Sequence, residues 1–328
     1  MPIPSLEGRP VLVTGGAGFI GSHLVDALLE RKARLRVLDN FATGREANIV
    51  HVRDRIELLE GDIRDLETCR RAARGVEIVF HQAALGSVPR SLKDPAATLA
   101  VNVQGTVNVF AASREAGAKR VVYASSSSVY GDSEALPKRE GEEGRPLSPY
   151  ALSKRFDEEV AANFWSCFGM EAVGLRYFNV YGPRQDPSGP YAAVIPRFFE
   201  ALLKGRSPVI YGDGSQSRDF TFVEDAVRAN LLAAGAREAC GAAFNVAGGV
   251  QTSIAELARL VGQAVGRAVD PIHEPPRPGD VLHSLADLSR SREHLGFEPT
   301  VALAEGLSRV TVFYEGGHSA AFTGDPSR

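Results

Sequence analysis

Through the first 180 positions, apolar residues come in short unbroken runs. These alternate with longer stretches in which apolar residues recur every three or four positions. The runs are RPVLVTG (9–15), RLRVLDN (34–40), RIELLEGDI (55–63), EIVFHQAA (77–84), RVVYASSS (120–127) and AVGLRYFNVYG (172–182). Continuous rather than alternating apolar runs predict strands covered on both faces. Stretches 94–117 and 148–169 read as helices, and Pro149 falls in the first turn of the second, where proline is tolerated. Repeated strand–helix alternation predicts an α/β fold, a doubly wound parallel sheet of Rossmann type.

After residue 180 the pattern loosens into YGPRQDPSGP, a turn-rich loop, followed by shorter helical stretches such as VIPRFFEALLKG, VEDAVRANLLAAG and TSIAELARLVGQAVG. Two domains are expected: a dinucleotide-binding domain over 1–180, and a smaller α/β domain over 181–328 against the carboxyl edge of the sheet. Segments near 219–247 are candidates to return to the first domain.

Composition narrows the partners. The 328 residues carry a formal net charge of −3, with Arg far outnumbering Lys, which gives no broad attraction to nucleic acid or anionic membranes. No stretch approaches 18 apolar residues, and MPIPSLEGRP has neither an apolar run nor a cleavage pattern. Cys69, Cys167 and Cys240 are scattered and odd in number, without metal-ligand spacing, so no metal is expected and a reducing cytoplasm is.

The chemistry begins at VLVTGGAGFIGSHL. Gly15, Gly18 and Gly21 lie between a predicted strand and helix, where glycines allow a tight turn and close approach of backbone to a pyrophosphate. Asp39 ends the next strand, placed to hold both hydroxyls of an adenosine ribose and to repel a 2′-phosphate, so NAD is expected rather than NADP. The alternative is a structural glycine turn beside a solvated acid.

Further on, VVYASSSSVYG runs a buried strand into four serines, and PYALSKR sets Tyr150 and Lys154 four apart on one helix face. A free tyrosine needs a shift of roughly three pKa units, ~4 kcal/mol, to act as a base near neutrality. A neighbouring ammonium and a positive nicotinamide ring both favour the phenolate. Eight Tyr and six Lys over 328 positions give about 0.15 such pairs by chance, so a surface helix pair is the poorer reading. Ser126, Ser127 and Ser128 would line the site at the sheet's carboxyl edge, one hydroxyl handling a substrate oxygen while Tyr150 takes a proton.

With these stretches the chain resembles the extended short-chain dehydrogenase/reductase superfamily, and within it the UDP-hexose 4-epimerases. The resemblance runs from about Arg9 to Val312 and rests on GGAGFIG, HQAALGSVPRS, YASSSSVYGD, PYALSK, LRYFNVYGPRQDP, SRDFTFVEDAV and RPGDVLHSLAD. Among these enzymes it is most similar to UDP-N-acetylglucosamine 4-epimerases. The resemblance implies a catalytic trio of Ser126, Tyr150 and Lys154. It implies NAD bound by Phe19, Ile20, Asp39, Asn40, Asp62, Ile63, Gln82, Ala83, Ala84, Asn102, Tyr150, Lys154 and Phe178, together with the three glycines. For the UDP-sugar it implies Asn179, Val194, Tyr211, Arg218, Arg277 and Asp280, with Ser87, Ser127, Ser128 and Ser284 nearer the sugar. Two arginines at a diphosphate would give charge-assisted bonds. The implied reaction is 4-epimerisation of a UDP-hexose through a transient 4-keto sugar, in a homodimer.

Ser284 stands where family members acting on plain hexoses carry tyrosine, which implies room for an N-acetyl group; it can also be read as a helix N-cap. Dehydratases of the superfamily carry Asp-Glu where this chain has Ser127-Ser128. UDP-glucuronate 4-epimerases are a nearer rival: they tend to have arginine where Asp186 stands, and an acid there would repel a uronate. Arg90 or Arg184 could substitute. A non-catalytic NAD or nucleotide-sugar-binding protein is the remaining alternative, though such proteins usually lose the tyrosine or the lysine.

Overall fold

The computed structural model describes residues 3–187, 192–276 and 282–316. Its centre is a seven-stranded parallel sheet in the order Ala242–Val246, Glu171–Tyr177, Arg120–Ser126, Ile78–His81, Pro10–Thr14, Arg34–Asp39, Glu57–Glu60. Both faces are covered, which is why the central strands Pro10–Thr14 and Ile78–His81 carry mostly apolar residues. Val11 and Val13 pack to one side with Leu24, Val25 and Leu28 of helix Phe19–Glu30 and with helix Val223–Ala233. Leu12 and Val79 pack to the other with Cys69, Phe110 and Ala161, from helices Leu66–Ala73, Gly105–Glu115 and Pro149–Phe168. The expected Rossmann-type architecture is present.

This strand order positions the site. From Pro10–Thr14 the chain winds outward on one side, then crosses back to Ile78–His81 and winds outward on the other. The connections therefore part between these two strands and leave a crevice at their carboxyl ends, where ligands enter folds of this kind. A further apolar core, built from Tyr181, Phe198, Phe199, Leu257, Val261 and Leu307, stands beyond that edge under helices Val194–Leu203, Ile254–Ala264 and Leu303–Glu315.

Three sequence-predicted elements differ in detail. The run 172–182 breaks after Tyr177: Asn179 takes a φ of +35°, and Val180–Tyr181 leaves the sheet to pair with Thr221–Phe222. Asparagine is among the few residues that tolerate such a backbone. The run 55–63 contracts to Glu57–Glu60. The helix 94–117 contains a π-helical turn, Ala100–Gln104, of a kind often found at functional sites. Among the described residues, no helix is long and apolar enough to cross a membrane.

Candidate active site

The crevice opens into a cavity of about 1770 Å³, lined by the glycine turn, the carboxyl ends of the central strands and the outer core. Drug-sized ligands fill roughly 300–1,000 Å³, so this volume suits two ligands end to end.

At one end, Gly15 has a φ of +70°, and a Cβ there would meet the Ala83 backbone N at 2.6 Å. A Cβ on Gly21 would stand 2.0 Å from the Gly15 carbonyl oxygen. Both positions therefore require glycine, and the tight turn brings the start of helix Phe19–Glu30 to the cavity. Its N-cap, Gly18, offers no side chain to the first N–H groups, which stay open to an anion.

Asp39 is buried at the end of its strand. Its Oδ2 accepts from Ala17 N (2.9 Å) and its Oδ1 from Phe41 N (2.8 Å). Burial pushes its carboxyl above the usual range, against the pull of those N–H groups. Each oxygen keeps acceptor capacity for a hydroxyl, which fits a ribose. Asp62 lies farther along the wall, where Arg64 (2.7 Å) and Asn40 (2.8 Å) hold it down to about 2. Phe19, Ile20, Ile63, Gln82, Ala83 and Ala84 also line this end. Gln82 is fixed by Asn230 (3.0 Å) and the Tyr177 hydroxyl (3.3 Å).

Two residues assigned to the cofactor stand behind the wall. Asn102 is fully buried in the π turn; its Oδ1 accepts from Leu85 N (2.8 Å) and its Nδ2 donates to Ser153 Oγ (3.0 Å). It ties the 85–87 loop to the helix that carries Tyr150. Phe178 is fully buried against Tyr130.

In mid-cavity the four serines divide. Ser125 also lines the wall, but its hydroxyl is spent on Glu158 Oε1 (2.5 Å). Ser126 ends the strand, and its Oγ accepts from Ser128 N (3.1 Å), leaving its hydrogen to donate elsewhere. The Ser128 hydroxyl is buried without a protein partner. Ser127 lines the same wall. Opposite them, Tyr150 stands in the first turn of helix Pro149–Phe168, whose N-cap Ser148 accepts from Ala151 N (3.1 Å). One turn on, the buried Lys154 donates to the Ala124 carbonyl (2.8 Å) and to Asp157 (3.1 Å).

At the far end, Asn179 donates to Asp219 O (2.9 Å) and faces the cavity with Val194, Tyr211 and Arg218. Val194 opens a helix whose N-cap, Ala193, has no capping side chain. Ser87 lines the wall and also caps the short helix Val88–Lys93 through Arg90 N (3.2 Å). Ser284 lines the wall near Ser217, whose carbonyl it engages at 3.1 Å. It does not cap the helix that follows, which starts at Ser289 with Leu288 as N-cap. Arg277 and Asp280 lie outside the described residues.

Asp186, whose charge the sequence reading set against a uronate, pairs with Arg45 at 2.7 Å. Among the described residues it is not on the cavity wall, so its charge is spent outside the cavity. Sequence reasoning also passed over Arg197, Gln185 and Lys138, all on the wall. Lys138 is buried and donates to the Ser133 carbonyl, with the Glu134 carboxylate acting on its charge. Nothing in a single Lys of a loop signals this; only the fold brings it inward. Among the described residues no three His, Cys, Asp or Glu side chains gather as metal ligands.

The family model for the NAD dependent epimerase/dehydratase family matches residues 11–247. The chain belongs to that family. Its cofactor is NAD, and the glycine turn and Asp39 described above fit that group. The chain is 43% identical over 307 residues to a UDP-glucose 4-epimerase of Mycolicibacterium smegmatis, covering 92% of this chain and 97% of the relative. Its structure superposes on the UDP-N-acetylglucosamine 4-epimerase of Methanobrevibacter ruminantium in complex with UDP-N-acetylmuramic acid, with a TM-score of 0.91 and 37% identity over 95% and 99% of the two chains. A Thermus thermophilus UDP-glucose 4-epimerase in complex with NAD gives a TM-score of 0.86 and 38% identity, over 94% and 99%.

Proposed function

We propose that this protein is a UDP-sugar 4-epimerase that interconverts UDP-N-acetylglucosamine and UDP-N-acetylgalactosamine, with UDP-glucose and UDP-galactose as additional substrates. The observation that carries the epimerase reading is the single cavity in which the strand-end serines and the Tyr150–Lys154 helix stand between a dinucleotide turn and a second cationic end. Bound NAD supplies a hydride acceptor, and later donor, for carbon 4 of the sugar. Tyr150 takes the proton of the 4-hydroxyl and returns it to the same oxygen when the hydride re-enters at the opposite face of carbon 4 of the keto sugar. The hydroxyls of Ser126 and Ser128 donate to the sugar oxygen as it changes hands. Lys154 favours the Tyr150 phenolate, while Asn179, Arg218 and the open start of helix Val194–Leu203 anchor the nucleotide. Anchoring at one end leaves the sugar free to turn over between the two hydride transfers.

The preference for acetylated sugars rests on Ser284, a small side chain on the wall of the same cavity. Ser284→Tyr is expected to lower kcat/KM for UDP-N-acetylgalactosamine about tenfold more than for UDP-galactose, a typical cost for crowding a sugar substituent. Kinetics of both proteins on both sugars check this, and an unchanged ratio overturns the assignment. A UDP-uronate is the second reading. It is favoured by the position of Asp186 off the wall and by the buried Lys138 ammonium on it. UDP-glucuronate belongs in the same substrate panel, and turnover faster than that of the acetylated pair would establish this second reading.

The three free cysteines fit a reducing cytoplasm, which cell fractionation checks. A homodimer is supported by Leu152 and Phe156, one turn apart on helix Pro149–Phe168 and both exposed, with Leu92 exposed as well. Light scattering is expected to give twice the 35.1 kDa chain mass, and a monomer mass would refute the dimer.

A further inference from the structure

The Lys154 ammonium has a partner whose role the reaction above does not use. Asp157, one turn along the same helix, places Oδ2 3.1 Å from Lys154 Nζ, and both side chains are almost completely buried, at 4% exposed for the lysine and 1% for the aspartate. The second oxygen of Asp157 has no hydrogen-bond partner. A carboxylate this deep, held by one cation and the Thr106 hydroxyl, is costly for the fold.

The surroundings leave Lys154 as the cation Asp157 answers to. His81, on the adjacent strand, is held between Thr14 Oγ1 (2.7 Å) and Thr106 Oγ1 (3.0 Å), and burial pushes it down to about 3, so it is neutral. Tyr123, also on the sheet, is fully buried with its phenol pushed well up, so it is neutral too. Glu158 is taken by Arg176 (2.8 Å) and Ser125 (2.5 Å). Glu159 lies on the exposed side of the helix. Burial raises the Asp157 carboxyl to about 6 despite the ammonium and the Thr106 hydroxyl, so it is ionised at neutral pH and above.

We propose that Asp157 is a positioning residue for the epimerase reaction: it anchors the Lys154 ammonium beneath Tyr150 and offsets part of its charge, setting how strongly Lys154 favours the Tyr150 phenolate. The Ala124 carbonyl, at 2.8 Å, holds the ammonium from a second direction, so removing the negative charge alone leaves Lys154 in place. The inference rests on the reading of Tyr150 as the base.

The test uses NAD-loaded full-length Asp157→Asn and Asp157→Ser proteins. Two readings are taken: the pH profile of kcat/KM, and the ultraviolet titration of the Tyr150 phenol with Tyr150→Phe as the blank. The acid limb and the phenol titration are expected to move together to lower pH by about one unit, the scale on which one nearby charge acts. Reduced turnover with an unmoved limb, a limb moved to higher pH, or insolubility of both variants would each overturn the proposal, the last by assigning Asp157 to folding alone. Near-normal turnover by Tyr150→Phe would instead remove the base assignment itself, a different failure from an unmoved limb in an enzyme that Tyr150→Phe does silence.

Discussion

Tyr150→Phe is expected to lower turnover by at least about 10²-fold, the usual loss when acid–base help is removed, while leaving the fold and the bound NAD intact. The structure explains why the two effects should separate. Tyr150 is half-buried, and its hydroxyl makes no hydrogen bond among the described residues, so its removal strands no partner. The ring stays on the helix, Ser153 still donates to the residue 150 carbonyl (2.8 Å), and Asn102 still holds Ser153. No buried polar group is left unsatisfied, which removes one of the named causes of large stability losses. Steady-state rates, with cofactor content of the purified protein measured by chromatography after denaturation, check both halves. Near-normal rates would refute the assignment of Tyr150 as base.

The sheet was legible because its strands announce themselves locally: each is an apolar run that ends at a turn residue, and burial on both faces demands that composition. The Tyr150–Lys154 pair was legible for a similar reason, since four residues on a helix is a fixed geometry. What stayed hidden depends on contacts distant in sequence. Ala242–Val246 lies in the 219–247 stretch named as a candidate to return, but its own five residues do not disclose its pairing with Glu171–Tyr177, some 70 residues earlier. The break at Asn179 is decided by its bond to Asp219 and by the pull of Thr221–Phe222 on the following residues. Asn102 and Asp157 look like ordinary helix polar residues. Only the packing of the loop at Leu85 over one, and of Lys154 against the other, gives them their parts.

Asp39 is the other residue whose loss should be large, and there the effect falls on the cofactor rather than on the chemistry. Two backbone N–H groups satisfy one lone pair on each oxygen. A ribose would donate a hydroxyl to each remaining one. Hydrogen bonds to a charged group contribute about 1.5–3 kcal/mol each. Asp39→Ala is therefore expected to weaken NAD by about 10²-fold or more, after allowing for the Ala17 and Phe41 N–H groups, which then lose their acceptor as well. NADP should be affected much less, because the same substitution removes the charge that repels its 2′-phosphate. Acidification should imitate the substitution in part: burial already raises this carboxyl, and the proton it takes up replaces an acceptor with a donor facing a hydroxyl. Cofactor stripped from the parent protein and from the variant and titrated back, NAD and NADP in parallel and at two pH values, gives the eight affinities needed. If Asp39→Ala binds NAD as tightly as the parent protein, the ribose lies elsewhere, and the glycine turn alone would have to account for the affinity.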